Sequence, residues 1–168
     1  MNEDKANETQ QHDGHEDGGS DDDSEPEVVA HYWTPLHIAA QAHNAQSAKL
    51  LLDYGADVNF VAYTGKAQTP LMLAVQSSSD EDAHLVQMLI DRGANVDAVG
   101  PAGATALHFA CDMGSTACAK ALIRAGCDRT IKDDEGATAE EVARAHDIVG
   151  MVAAMQEVSL EMEKEKEL

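Results

Sequence analysis

Aromatic residues are scarce in this chain, six in 168, and positive charges are outnumbered, eleven Lys and Arg against thirty-one Asp and Glu. So few rings weigh against a sandwich or barrel core, where aromatics carry much of the packing, and suit small helices stacked on Ala and Leu. A formal charge of −20 repels phosphate backbones, so no nucleic-acid ligand is expected, and a basic protein is the natural complement. No stretch approaches the roughly 18 apolar residues of a membrane span. The first residues lack the basic and apolar regions of a secretory leader, so a cytoplasmic or nuclear protein is expected. Three cysteines, Cys111, Cys118 and Cys127, are odd in number and form no CxxC pair. They read as small buried thiols in a reducing compartment rather than a disulfide or metal framework. No nucleophile–base–orienter set, phosphate loop or paired catalytic carboxylates stands at an interpretable spacing. No enzymatic activity, cofactor or metal is therefore expected.

The charge is unevenly spread. Residues 1–27 hold eleven acids against Lys5 alone, a net −10, and the remaining chain carries another −10 from twenty acids and ten bases. Lacking apolar content before Val28, this first segment cannot bury enough surface to fold and is expected to be a disordered acidic tail. Two roles stay open for it, an electrostatic lure for a basic partner or a solubilising appendage. Ser20 and Ser24, set among acids, have the surroundings that acidophilic kinases select. His12 and His15 beside Asp13 and Glu16 offer metal-binding side chains, but nothing in such a segment fixes their geometry.

Beyond the tail the chain repeats itself. Trp33-Thr34-Pro35-Leu36-His37-Ile38-Ala39-Ala40 returns as Gln68-Thr69-Pro70-Leu71-Met72-Leu73-Ala74-Val75 and as Ala104-Thr105-Ala106-Leu107-His108-Phe109-Ala110-Cys111. A weaker copy opens at Gly136-Ala137-Thr138-Ala139-Glu140-Glu141. The four threonines are 35, 36 and 33 residues apart. The first three units close on Gly55, Gly93 and Gly126, which lie 21, 24 and 21 residues after their threonines. The extra residues of the second unit fall in the polar stretch 77–82, and those of the first connection in Phe60–Gln68. Insertions confined to turns are what a stacked repeat tolerates.

These segments resemble ankyrin repeats, whose signature is T-P-L-H-x-A at a period near 33. The resemblance implies an all-α solenoid of paired antiparallel helices joined by β-hairpin-like loops, over about four repeats (32–64, 65–100, 101–133 and 134–157). The residue types have physical reasons. Each Thr stands where its hydroxyl caps a helix start, and Pro35 and Pro70 occupy the first turn, where a missing N–H costs nothing. Gly55, Gly93 and Gly126 suit the left-handed end of a second helix. Leu36, Leu71 and Leu107 are expected inside the stack. The resemblance also implies that His37 and His108 bond backbone in the neighbouring turn. The first repeat lacks its opening hairpin, and the fourth replaces the Leu-His pair by Glu140-Glu141. Ile148, Met151, Val152, Met155 and Val158 share one face of a closing helix, predicting a C-terminal cap. Residues 158–168 are expected to continue as a charged, fraying helix.

In this family, hairpin tips and the exposed sides of first helices form a concave groove that binds proteins. Carried over by position, the groove comprises Trp33, Gln41 and Ala42 from the first repeat and Tyr63, Lys66, Gln68, Gln76 and Ser77 from the second. The third supplies Pro101, Ala104, Asp112 and Met113, and the fourth Asp134, Glu135 and Ala137. The expected function is a non-enzymatic adaptor or inhibitor, monomeric by itself, that docks a protein partner. The alternative is an acidic chaperone-like buffer that holds basic proteins through its tail. Phe60, Val61 and Tyr63 at the first hairpin read as apolar groups with no burial in their own stack, poised for a partner. The alternative for Trp33 and Phe60 is that they cover the truncated N-terminal end. Asn59 matches a position at which some ankyrin proteins are hydroxylated.

Overall fold

The computed structural model describes residues 33–63, 67–76 and 83–166. The acidic segment 1–27, with its proposed modification and metal positions, lies outside them, as do Lys66 and Ser77. The described chain forms helix pairs: α1 (Pro35–Gln41) with α2 (Ala45–Asp53), α3 (Pro70–Ala74) with α4 (Ala83–Asp91), α5 (Ala106–Met113) with α6 (Thr116–Arg124), and α7 (Ala139–Ala145) with α8 (Val149–Lys166). Helices α1, α3, α5 and α7 pack in sequence as one layer, and α2, α4, α6 and α8 as a second. The only strands among the described residues are β1 (Ala62–Tyr63) and β2 (Ala67–Gln68), an antiparallel pair with Ala62 opposite Gln68.

Local signals set these elements. Thr34, Thr69 and Thr138 accept the backbone N–H three residues on, capping α1, α3 and α7. Each of α2, α4 and α6 ends in the same two crossed bonds. In the second repeat the Ala94 N–H donates to the Leu89 carbonyl at 3.0 Å and the Gly93 N–H to the Ile90 carbonyl at 2.9 Å. That closure needs a left-handed residue, and Gly93 supplies it at φ 85°. The core is aliphatic and continuous. Leu36, Leu71, Leu107, Leu85, Leu89 and Leu122 are fully buried, each worth roughly 1.5–3 kcal/mol relative to exposure.

The C-terminal helix continues past its apolar run. It runs unbroken through position 158 to Lys166, because Met162 also packs on the core. Lys120 and Arg124 of α6 meet its Glu157 and Glu161 at 3.3 and 3.4 Å. Met151, Met155 and Val158 are buried, and the Cys111 thiol points at the Met155 sulfur from 3.8 Å. Burial pushes the Cys111 thiol up to about 12 and Cys127 up to about 11. Both therefore stay protonated and inert at neutral pH.

Candidate functional site

Successive repeats are fastened by side chains that face the hairpins. The His37 ring lies between Thr34 and the next hairpin. Its Nδ1 accepts from the Thr34 backbone N–H at 3.3 Å and faces the Thr34 hydroxyl at 2.7 Å, while Nε2 lies 3.1 Å from the Gln68 carbonyl. A carbonyl can only accept and a backbone N–H can only donate, so Nε2 carries the proton and the ring is neutral. Burial holds the ring's pKa below its usual value, against the opposing hydrogen bond to Gln68. His108 repeats the arrangement, with Nδ1 3.2 Å from the Thr105 N–H and Nε2 3.2 Å from the Ala137 carbonyl. Met72 fills the same position in the second repeat and cannot bond. There the junction closes by packing instead: a Cβ on Gly100 would lie 2.6 Å from the Met72 sulfur. In the fourth repeat Glu141 accepts from the Thr138 N–H at 2.7 Å, capping its own helix without extending to a further hairpin.

A second row of ties runs along the loops that follow the second helices. Asn59 donates from Nδ2 to the Gly93 carbonyl at 2.9 Å and accepts the Asn95 N–H at 2.7 Å. Asp97 accepts the Asp128 N–H at 2.7 Å in the corresponding place. Both polar groups of the Asn59 side chain thus serve the stack.

Of the positions expected to bind, Ala104, Asp112, Glu135 and Ala137 come together around one cleft, while Ala42 lies in a separate depression with Ile38 and Leu50. Gln41 and Ala42 are exposed where α1 ends, Asp112 and Met113 where α5 ends, and Asp134 and Glu135 at the fourth hairpin. Trp33, Gln76, Pro101, Ala104 and Ala137 are half-buried. Gln68 differs from the position-based expectation. It is 8% exposed, since its β2 pairing and its carbonyl contact with His37 draw it into the junction. Phe60 also departs from the reading as an unburied tip residue: it is half-buried, edge-on to the His37 ring with centroids 6.1 Å apart. Tyr63 belongs to β1.

Between α5 and α7 lies that cleft, of about 270 Å³. Phe109 and Val142 form its apolar side, and Asp112, Asp133, Glu135 and Glu141 surround it. Asp133 accepts the N–H groups of Glu135 and Ala137 at 3.0 and 2.9 Å, which fixes the rim, and His146 lies 3.2 Å from Asp112. Half-buried Phe109 and Val142 beside exposed Asp112, Glu135 and Glu141 suit a long cationic side chain with an aliphatic stem. Phe109, Asp133, Glu141, Val142 and His146 were missed by position transfer, which samples hairpin tips and helix ends rather than the gap between helices. The one available signal was Phe109, aromatic where the other repeats have Ile38, Leu73 and Val142. Among the described residues no group of three or more His, Cys, Asp or Glu is placed to hold a metal ion, and no helix is long and apolar enough to cross a membrane.

A family model described as Ankyrin repeats (3 copies) matches residues 14–98 and 77–161. The mouse B-cell lymphoma 3 protein homolog is 33% identical over 119 residues, 71% of this chain and 26% of that protein. Human Ankyrin repeat and SOCS box protein 18 is 44% identical over 77 residues, 46% of this chain and 16% of its own length. A Caenorhabditis elegans homolog of transient receptor potential cation channel subfamily A member 1 is 33% identical over 112 residues, 67% of this chain and 9% of that protein. The chain thus spans about a quarter of these relatives or less. Threonine-capped first helices, glycine-closed second helices and histidine ties to the next hairpin are the structural counterpart of that match, and the chain belongs to the ankyrin-repeat family.

Proposed function

We propose that this chain is a non-enzymatic protein–protein interaction module, an adaptor or inhibitor, that binds a basic protein segment along the face of its hairpins and first helices. It acts as a monomer in the cytoplasm or nucleus. Ankyrin repeats are generally protein-interaction modules, which supports the class of function. The partner's basic character rests on one observation, the cleft between α5 and α7 lined by half-buried Phe109 and exposed Asp112 and Glu135. A lysine or arginine seated there meets carboxylates without displacing the bonds that hold the hairpin.

The test is an amide-NMR titration of the full chain with a panel of basic, neutral and acidic peptides at two salt concentrations. Basic peptides should perturb Phe109, Asp112, Glu135 and Ala137. The Asp112→Asn/Glu135→Gln variant should bind them roughly tenfold more weakly, about 1.4 kcal/mol. Perturbation confined to residues 1–27 and abolished by moderate salt would instead support the tail-driven acidic buffer.

A further inference from the structure

The first repeat shows apolar surface that its equivalents hide. Ile38, four residues after Thr34, is 56% exposed, whereas Leu73, four after Thr69, is 2% exposed. Leu50, five before Gly55, is 58% exposed, whereas Ala121, five before Gly126, is 8% exposed. Leu51 is half-buried where Leu89 and Leu122 are fully buried. The difference lies in what precedes each repeat: the later ones lean on a neighbour, with α3 covered by α1 and α4 by α2. Pro35, Ile38, Ala42, Leu50 and Leu51 line a shallow depression of about 450 Å³ on this end. Uncovered end faces of a solenoid carry polar side chains when they meet water, whereas here Asn44 and Ser47 are the only polar residues beside six apolar ones.

We propose that the segment Val28-Val29-Ala30-His31-Tyr32 of this same chain folds back over the depression and caps the first repeat. It is the one apolar run in the 32 residues before Trp33. It ends directly against the N-terminus of α1, whose outer side carries Ile38. Five extended residues span roughly 17 Å, enough to cross a helix of about 10–12 Å diameter. Attachment to the stack makes docking intramolecular, so a small apolar contact suffices. A second copy is a poorer occupant, because each chain carries −20 and pairing the two ends brings like charges together. The acidic residues that precede Val28 would then leave the domain from its N-terminal end rather than beside the α5–α7 cleft.

A double-mutant cycle in the full chain tests this, with Val29→Ser, Ile38→Ser and the two combined, read by thermal melting. Each single change should lower the melting temperature by about 2–4 °C, and the pair by little more than the larger single effect, since both remove one contact. Val29→Ser should also shift the emission of Trp33, the sole tryptophan, to the red. Nuclear Overhauser contacts between Val28 or Val29 methyls and those of Ile38 or Leu50 should appear in a dilute, monomeric sample. A silent Val29→Ser variant, additive effects or an absence of those contacts overturns the proposal and leaves the face for a protein partner. Contacts found only between differently labelled copies overturn it in favour of a dimer.

Discussion

The two ends of the stack solve the same problem differently. At the C-terminal end α8 lays Met151, Met155 and Val158 against the core, and its charged side is tied to α6 through Glu157 and Glu161. At the N-terminal end no described element covers α1 and α2, and Ile38 and Leu50 face outward. Histidine placement follows the same polarity. His37 and His108 bond forward to a following hairpin, and the fourth repeat, whose second helix is the long α8, has Glu141 in that position. What separates the ends is therefore exposed aliphatics in the first repeat and a carboxylate that caps its own helix in the fourth. Forward-bonding rings stand in the first and third repeats, and Met72 packs in the second.

The largest effect should come from removing that C-terminal cover. Met155→Ala opens a cavity beside Cys111 and should cost about 2–5 kcal/mol in denaturant melts, comparable with Leu89→Ala in the middle of the stack. Both changes delete a side chain with no exposure. If Met155→Ala costs under about 0.5 kcal/mol while Leu89→Ala stays expensive, α8 is an ornament rather than a cap, and the contrast between the ends collapses.

A smaller effect separates the ends by pH. The folded pKa of His37 is lowered, chiefly by burial, from an ordinary 6.5. The unfolded chain then binds the proton more readily, so the contribution of this neutral ring is complete above about 6.5. It declines below that until the folded ring itself is protonated. Glu141 is lowered from 4.5, first by its hydrogen bond from the Thr138 N–H and then by the Thr138 hydroxyl. Its contribution is complete above about 4.5 and is lost at more acid pH. Hydrogen exchange should therefore show α1 loosening at higher pH than α7, and His37→Gln should abolish the earlier step. Simultaneous loosening of both helices would mean the stack opens as one unit.

How much of this was legible in the sequence follows from which signals are local. Thr-Pro and closing-glycine signals report backbone needs of a single turn, so Thr34, Thr69, Gly55 and Gly93 could be placed from spacing alone. The cleft was not legible, because Phe109, Glu141 and His146 come together only when α7 packs on α5. The contact that Phe60 makes was not legible for a similar reason. Its neighbour His37 is 23 positions away, and only the turn geometry lays the ring edge-on to the imidazole. The ties of the last turns of α8 to Lys120 and Arg124 were not legible either, because those partners lie on another helix and no periodicity within α8 reveals them.

The smallest expected effect concerns the hairpin between the second and third repeats, midway between the two ends. Ala102 and Gly103 have φ values of 55° and 70°, and the Ala104 N–H donates to the Pro101 carbonyl at 3.0 Å. Two consecutive positive φ angles make this a type I′ turn, for which Asn-Gly is the favoured pair. Ala102 is exposed, and what it gives its neighbour is its backbone, the carbonyl accepting from the Asp134 N–H at 2.9 Å. Its methyl group therefore adds left-handed strain and little packing. Gly103 cannot be exchanged in the same way, since a Cβ there would lie 2.7 Å from an Asp134 carboxylate oxygen. Ala102→Asn keeps the backbone bond, relieves the strain and should stabilise the protein by about 0.5 kcal/mol, near 2 °C in melting temperature. Because the residue lies between the ends, the gain should be the same whether or not Ile38 has been changed to Ser. A gain that depends on Ile38 would show the first repeat communicating through α3 to the third hairpin, and the ends could no longer be treated as independent.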